Sequence, residues 1–301
     1  MDYWVLTAIA SACIFAFVTV GDKWILTGLG VKLSNYCIFV GMTQLIVSIL
    51  LLLFMGFPDA SFKSVISSLS AGALWGLGLT FLFFALQRED VGIVTPIWQS
   101  SPVFASVFAV YFLGESLNIY GWMAILLVVF GAAFLSTNFG RTETNKLFSF
   151  PLLLVIVGAI FIGGAQVLLK QSSSDLGIWH NMAYRGIGLF ATIGLPYIRI
   201  SSIQSLGNLL SNPKKTFIIF SAETIGPISG NIMLLMAVSS GPVSKVSALL
   251  GTRPLWVFLL TLLISVLGIK LFHESFKKID VIIKAGSALV VSGGIAIIAL
   301  A

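Results

Sequence analysis

Charged residues interrupt long apolar stretches at five places, all in the second half of the sequence: Arg185, Glu223, Lys245, Arg253 and Lys284. A charge at the centre of a membrane helix costs roughly 2.5–3.5 kcal/mol on insertion scales, so such residues usually mark a substrate path, a relay or an internal ion pair. Arg253 lies deepest, about 17 Å into its stretch at about 1.5 Å per residue. Gly251 and Pro254 flank it and weaken the helix there. This pattern indicates recognition of a charged group.

Glu223 lies about seven residues into the preceding, antiparallel stretch, so the Arg253 side chain could reach it. Two interpretations stay open: a substrate anchor or charge switch, or a permanent ion pair that only permits insertion. Glu223 is also the one deep carboxylate that could couple transport to protons, although a neighbouring arginine favours its charged form. Arg185 and Lys245 could extend a cationic path from Arg253, but Arg185 could equally be structural.

The fourth apolar stretch contains a run of polar and aromatic side chains beside two prolines: Thr95, Pro96, Trp98, Gln99, Ser100, Ser101 and Pro102. Polar side chains next to helix-disrupting prolines are typical of a binding site near the membrane midplane. Trp98 could stack on a substrate or simply fill space between helices. Together with the charged residues, the predicted substrate-binding set is Arg253, Glu223, Thr95, Trp98, Gln99, Ser101 and Arg185.

The sequence contains no pattern that indicates catalysis. No phosphate loop, zinc motif or nucleophile elbow occurs, so we predict no catalytic residue, no cofactor and no metal site. The two cysteines, Cys13 and Cys37, have no metal-ligand spacing and form no disulfide framework. A membrane-embedded enzyme is therefore a weaker alternative, and the protein is predicted not to be an enzyme. A scaffold protein is the other weaker alternative, because it would need no buried charges such as Arg253 and Glu223.

These residues must be positioned by membrane helices. Of 301 residues, 58% are hydrophobic and 9% are charged, whereas soluble domains carry about 25% charged residues. Backbone groups in lipid need internal partners, and apolar stretches near 20 residues favour helices. Ten spans are predicted, at residues 3–21, 34–56, 66–87, 92–113, 119–137, 150–170, 178–198, 216–238, 242–268 and 279–300.

The two sets of five spans resemble each other. Pro102 aligns with Pro254, Lys23 with Lys170, and Glu115 with Glu274, while Ser101 is the counterpart of Arg253. Five spans per half is an odd number, so the second half enters the membrane inverted, as in many transporters. The predicted units are residues 1–137 and 150–301, joined by a linker at 138–149.

The segment from Ala85 through Pro102 and Glu115 to Gly131, with its second copy from Ala237 onwards, resembles the EamA repeat of the drug/metabolite transporter superfamily. The resemblance implies an all-α integral membrane protein with ten helices in two inverted five-helix repeats around a central cavity. It also implies export or exchange of small metabolites. Both termini are commonly cytoplasmic in that family, whereas the excess of lysine and arginine on the opposite loops places them outside.

We therefore expect a secondary-active transporter, an exporter or exchanger, for small polar metabolites with an anionic or zwitterionic group, such as amino acids or organic acids. The alternatives are a neutral sugar or nucleoside carrier and a multidrug cation exporter. The expected setting is a plasma membrane of the bacterial inner-membrane type. The expected partners are a small-molecule metabolite, the lipid bilayer and, in one version, a proton. The protein would be a monomer or a homodimer, and it would bind no nucleic acid.

Overall fold

The computed structural model describes residues 2–23, 25, 31–86, 88–89, 94, 97–136, 149–199, 207, 211, 213–220, 224–266, 286–287, 289–291, 293–294 and 297. Within them the chain forms eleven α-helices: α1 Tyr3–Lys23, α2 Leu33–Met55, α3 Phe62–Leu86, α4 Ser101–Leu113, α5 Ile119–Ser136, α6 Phe150–Ser172, α7 Ile178–Leu189, α8 Pro213–Phe220, α9 Gly226–Ser240, α10 Val243–Leu250 and α11 Arg253–Val266. A π-helical turn, Phe190–Gly194, and a 3-10 turn, Leu195–Tyr197, extend α7.

The predicted spans and the observed helices agree, which confirms the all-α membrane fold. Five segments are long and apolar enough to cross a bilayer: Tyr3–Asp22, Leu33–Met55, Phe62–Leu86, Phe150–Ser172 and Val243–Leu263. The helices Ser101–Leu113, Ile119–Phe134 and Gly226–Ser240 are apolar but shorter. Most of the predicted tenth span, 279–300, lies outside the described residues.

Two spans are interrupted at aligned positions. The turn at Gln99–Ser100 precedes α4, and the turn at Gly251–Thr252 separates α10 from α11. One residue and then a proline, Pro102 or Pro254, follow each turn, and proline cannot donate a backbone hydrogen bond. The sequence predicted the break beside Arg253, and the structure confirms it. Both breaks place the start of a half-helix inside a predicted span rather than at its end.

The packing between the halves has the exchange expected of inverted repeats. Helix α1 of the first half packs against α9 of the second half. Its counterpart in the second half, α6, packs against α3 of the first half. In the same way, α4 of the first half packs against α6 of the second half, and α11 of the second half packs against α1 of the first half. Each half thus buries its first helix against the other half, and the central space lies between them.

Helices α3 and α7 pack tightly, and glycines bring the two backbones into contact. A Cβ atom built on Gly72 would lie 1.9 Å from the carbonyl oxygen of Arg185, and one on Gly188 would lie 1.9 Å from that of Leu69. In lipid, helices associate through such close van der Waals contact at small residues. Gly72 thereby fixes the position of Arg185 on α7.

The loop between α9 and α10 is held by two charged side chains from other helices. The Glu115 carboxylate accepts hydrogen bonds from the backbone N–H groups of Val243 at 2.5 Å and Ser244 at 3.1 Å, and from the Ser244 hydroxyl at 2.6 Å. Lys170 Nζ donates to the carbonyl oxygens of Ser239 at 3.1 Å and Gly241 at 3.0 Å. An anion at a helix N-terminus and a cation at a C-terminus both complement the helix dipole.

Replacing Glu115 with glutamine should therefore destabilise the folded protein by about 1 kcal/mol, the usual cost of losing an N-terminal cap and its charge. The measurement is the thermal unfolding temperature in detergent at low ionic strength. Asp59→Asn is the control, because Asp59 is an exposed acid in the α2–α3 loop. Equal unfolding temperatures for the two variants would show that the Glu115 cap contributes no stability.

A second carboxylate, Asp175, ties the α6–α7 loop to the start of α3. Asp175 Oδ2 accepts hydrogen bonds from the hydroxyl groups of Ser61 at 2.5 Å and Ser64 at 2.7 Å. These two donors, Ser61 first, hold the pKa of Asp175 below its usual value of 3.8. The ionised form is thus favoured in the folded state.

A pKa that is lower in the folded state makes stability depend on pH in one direction. The contribution of Asp175 is present above its unfolded pKa and is lost as the pH falls through the lower, folded pKa. We expect the wild-type unfolding temperature to fall more between about pH 5 and pH 3 than that of Asp175→Asn. If both proteins lose the same number of degrees over this range, the two serine contacts do not stabilise the fold.

Candidate substrate-binding cavity

A cavity lies between the halves, beside the two helix breaks. Helices α3, α4, α6, α10 and α11, with the residues just before α4, supply its walls. The lining residues are Trp75, Leu79, Trp98, Gln99, Ser101, Ile162, Gln166, Ser247, Leu250, Gly251 and Arg253.

Arg253 is the cationic side chain of this lining, and it begins α11 directly after the break. Its guanidinium carbon lies 4.8 Å from the centroid of the Phe15 ring on α1, a cation–π distance. The charge of Asp22, near the end of α1, also acts on it. Arg253 is therefore oriented by α1 while part of it stays open to the cavity.

A second arginine lies behind the cavity wall. Arg185 is 2% exposed, and its guanidinium carbon lies 4.6 Å from the centroid of the Trp75 ring, which does line the cavity. Within the described part of the chain, Arg185 Nε has no hydrogen-bond partner. Arg185 thus supports the cavity through Trp75 and adds positive charge behind it, without lining it.

The break before α4 places three of the predicted residues in the cavity wall. Trp98, Gln99 and Ser101 all line the cavity, opposite the break that carries Arg253. Gln99 is 7% exposed and Ser101 is 9% exposed. Trp98 also packs on Gly158, where an added Cβ would lie 3.1 Å from the indole. Trp98 therefore both fills space between helices and shapes the cavity.

The structure brings together four of the seven predicted residues. Arg253, Trp98, Gln99 and Ser101 share the cavity, whereas Arg185 stands one side chain behind it. The other two, Thr95 and Glu223, lie outside the described residues. The proposed pairing of Arg253 with Glu223 thus stays a prediction.

Sequence reasoning missed the aliphatic lining residues Leu79, Ile162 and Leu250, and it also missed three aromatic or polar ones, Trp75, Gln166 and Ser247. Ser247 could have been found, because the repeat alignment that pairs Pro102 with Pro254 also pairs Thr95 with Ser247. Gln166 lies one turn after Ile162 in the apolar part of its helix, ahead of the polar end at Lys170 and Gln171, and an amide there is a signal of an internal polar site. Trp75 carries no signal that distinguishes it from a packing aromatic.

The lining of the cavity combines one charge with neutral hydrogen-bonding groups and aromatic rings. One fixed cation, two amides and two hydroxyls face a space bounded by two indole rings, and the described lining contains no carboxylate. Among the described residues, no group of three or more histidine, cysteine, aspartate or glutamate side chains could hold a metal ion. The arrangement is suited to recognition of an anionic group beside neutral hydrogen-bonding groups.

Comparisons with known proteins agree with this geometry. Residues 2–137 match the EamA-like transporter family. The chain is 32% identical over 82 residues to the probable 4-amino-4-deoxy-L-arabinose-phosphoundecaprenol flippase subunit ArnE of Pseudomonas fluorescens, covering 25% of this chain and 72% of that protein. It is 35% identical over 65 residues to the UDP-N-acetylglucosamine/UDP-N-acetylgalactosamine transporter nstp-4 of Caenorhabditis elegans, covering 22% of this chain but only 19% of that protein.

The fold is similar to that of a protein with a known crystal structure. The superposition covers 99% of both chains with a TM-score of 0.74, at 16% sequence identity. That likeness concerns the arrangement of helices alone. With the sequence matches to transporters, it leads to one conclusion: this chain belongs to the EamA-like transporter family of the drug/metabolite transporter superfamily.

Proposed function

We propose that this protein is a secondary-active carrier, working as an exporter or exchanger, for small polar metabolites with an anionic or zwitterionic group. Amino acids and organic acids are the favoured classes. The observation that carries the proposal is Arg253, a cation that lines the cavity at a helix break within a predicted membrane span. A fixed cation in this setting favours an anionic ligand group.

The surroundings of Arg253 support the same substrate class. The second cation, Arg185, is buried behind Trp75 and raises the electrostatic potential on that side of the cavity. A charged hydrogen bond formed away from water is stronger than one in bulk solvent, so an arginine in such a cavity can bind a carboxylate or phosphate tightly. We assign Arg253 direct contact with substrate and Arg185 an indirect role through Trp75.

The named cargoes of the relatives point the same way. One relative is named for nucleotide sugars and the other for a sugar linked to phosphoundecaprenol, and both cargoes carry phosphate. An anionic group is therefore common to these cargoes and to the class proposed here. The sugar part keeps the neutral sugar or nucleoside carrier as the second candidate, since Gln99 and Ser101 can bind hydroxyl groups. A multidrug cation exporter is disfavoured by the two arginines.

The proposal is tested by screening the purified protein against a metabolite library for thermal stabilisation, then measuring flux in proteoliposomes. A ligand at 100 times its dissociation constant adds about 2.7 kcal/mol of stability. We expect carboxylates and amino acids to stabilise the protein and to drive counterflow. Strong uptake of uncharged sugars without competition from amino acids would instead establish the second candidate.

Three finer points belong to the same proposal. The membrane is a plasma membrane of the bacterial inner-membrane type, and the transporting unit is a monomer or a homodimer. Coupling to protons would use Glu223, or Asp22, whose charge acts on Arg253. Flux measured with and without an imposed pH gradient decides this point. Unchanged flux after Asp22→Asn would remove Asp22 from any coupling step.

A further inference from the structure

Two buried polar side chains of the cavity wall each have an oxygen atom without a hydrogen-bond partner among the described residues. Gln166 on α6 is 2% exposed and Ser247 on α10 is 1% exposed, and both line the cavity. Across the described residues, neither Gln166 Oε1 nor Ser247 Oγ finds a hydrogen-bond partner. Buried polar atoms in folded proteins are nearly always paired, so each unpaired one calls for an explanation.

Ser247 departs from the behaviour of other helical hydroxyls in this protein. The Ser48, Thr80 and Ser106 hydroxyls each donate to a backbone carbonyl four residues earlier, at 2.7–2.8 Å. That local bond is the usual way to satisfy a hydroxyl inside a helix. Ser247 makes no such bond and lines the cavity, one turn before the break at Gly251. Its hydroxyl is therefore available to a ligand.

Gln166 offers the complementary chemistry from the neighbouring helix. Its amide can donate and accept at the same time, and so can the Ser247 hydroxyl. Neither group carries a charge, and α6 packs against α10, so the two walls adjoin. A pair of this kind matches a hydroxyl, amino or amide substituent, and it penalises a ligand that puts an apolar group there.

We propose that Gln166 and Ser247 form a specificity subsite for a hydrogen-bonding substituent on an anionic substrate that Arg253 holds. The carrier then selects hydroxy and amino acids over the parent acids of the same size. This inference rests on the function proposed above. It adds a second point of recognition, and a substrate with two anchored groups is oriented as well as bound.

The test uses matched acids that differ only at the 2-position. One set is succinate, malate and aspartate. A second set is 3-phenylpropionate, phenyllactate and phenylalanine, chosen because Trp75 and Trp98 line the cavity. Dissociation constants are measured by calorimetry on the purified protein. In at least one set we expect the hydroxy or amino acid to bind about tenfold or more tightly than its parent, and the set shows which substituent is preferred.

The variants Gln166→Leu and Ser247→Ala should each reduce the preference for the substituted acid by about tenfold. The dissociation constant of the parent acid should change by no more than about twofold. Ser106→Ala is the matched control, because its hydroxyl is already used by the Pro102 carbonyl at 2.7 Å. Ser247→Ala removes a single oxygen atom, so it keeps the test valid even if Gln166→Leu fails to fold.

The outcomes separate the inference from the function on which it rests. The subsite alone would be overturned if the acids bind and lose affinity in Arg253→Gln while the parent and substituted forms have equal dissociation constants. A preference that persists in both Gln166→Leu and Ser247→Ala would do the same. If none of these acids binds, the proposed function fails and the subsite fails with it.

Discussion

Replacing Arg253 with glutamine is expected to weaken binding of carboxylate substrates by about 10- to 100-fold, with a matching loss of flux at low substrate concentration. The estimate follows from the value of a hydrogen bond to a charged group, about 1.5–3 kcal/mol, at about 1.4 kcal/mol per tenfold change. Glutamine preserves length and polarity, so the cavity keeps its shape. The measurements are the dissociation constant and initial uptake in proteoliposomes.

Two comparisons make this result specific. Arg253→Lys keeps the charge but loses the two-pronged donor geometry, so it should fall between wild type and Arg253→Gln. Arg185→Gln removes a charge that does not line the cavity, and it should change affinity less than Arg253→Gln does. Equal losses in the two glutamine variants would mean that only the summed field matters. Intact carboxylate flux in Arg253→Gln would remove Arg253 as the anchor.

Replacing Gly72 with alanine should be among the most damaging single-methyl changes in the helices described, together with the same change at Gly188. The added Cβ would lie 1.9 Å from the Arg185 carbonyl oxygen and 2.7 Å from its carbonyl carbon, and these backbone atoms cannot rotate away. Helices α3 and α7 would have to separate. We expect a loss of about 3 kcal/mol or more, at the upper end for overpacked sites, seen as a lower unfolding temperature and a lower yield of monodisperse protein.

Gly164→Ala is the matched control on α6. Its added Cβ would have Leu74 at 3.5 Å and Phe108 at 3.9 Å as nearest neighbours, which are ordinary contacts with side chains. Alanine also has a higher helix propensity than glycine by about 1 kcal/mol. Gly164→Ala should therefore match or exceed wild-type stability. If the two alanine variants were equally stable, the α3–α7 contact would not be the tight point that the structure indicates.

Hydropathy was enough to locate the spans because the bilayer imposes the same requirement on every one of them. Helices Leu33–Met55 and Phe150–Ser172 begin and end within two residues of the predicted spans. The break at Gly251–Thr252 could also be predicted, because glycine and proline act locally. The residues Trp98, Gln99 and Ser101 were found for the same local reason.

What could not be predicted depends on which face of a helix meets which neighbour. In a membrane protein both the lipid-facing and the buried sides are apolar, so periodicity says little about orientation. Gln166 and Trp75 reach the cavity only because α3 and α6 pack against each other. The charge of Asp22 acts on Arg253, although the two residues lie 231 positions apart in the sequence. No local pattern could link residues at that separation.

The contact between α3 and α7 also limits how this carrier can change shape. Helices that pack through side chains can slide past each other by small shear movements. Here backbone meets backbone at Gly72 and Gly188, so a displacement along either axis would drive a neighbouring Cβ into a carbonyl group. We therefore expect the two helices to move as one rigid unit, with Trp75 and Arg185 keeping their mutual distance. We propose that the bending that would open the cavity to one side and then the other occurs at the breaks at Gln99–Ser100 and Gly251–Thr252.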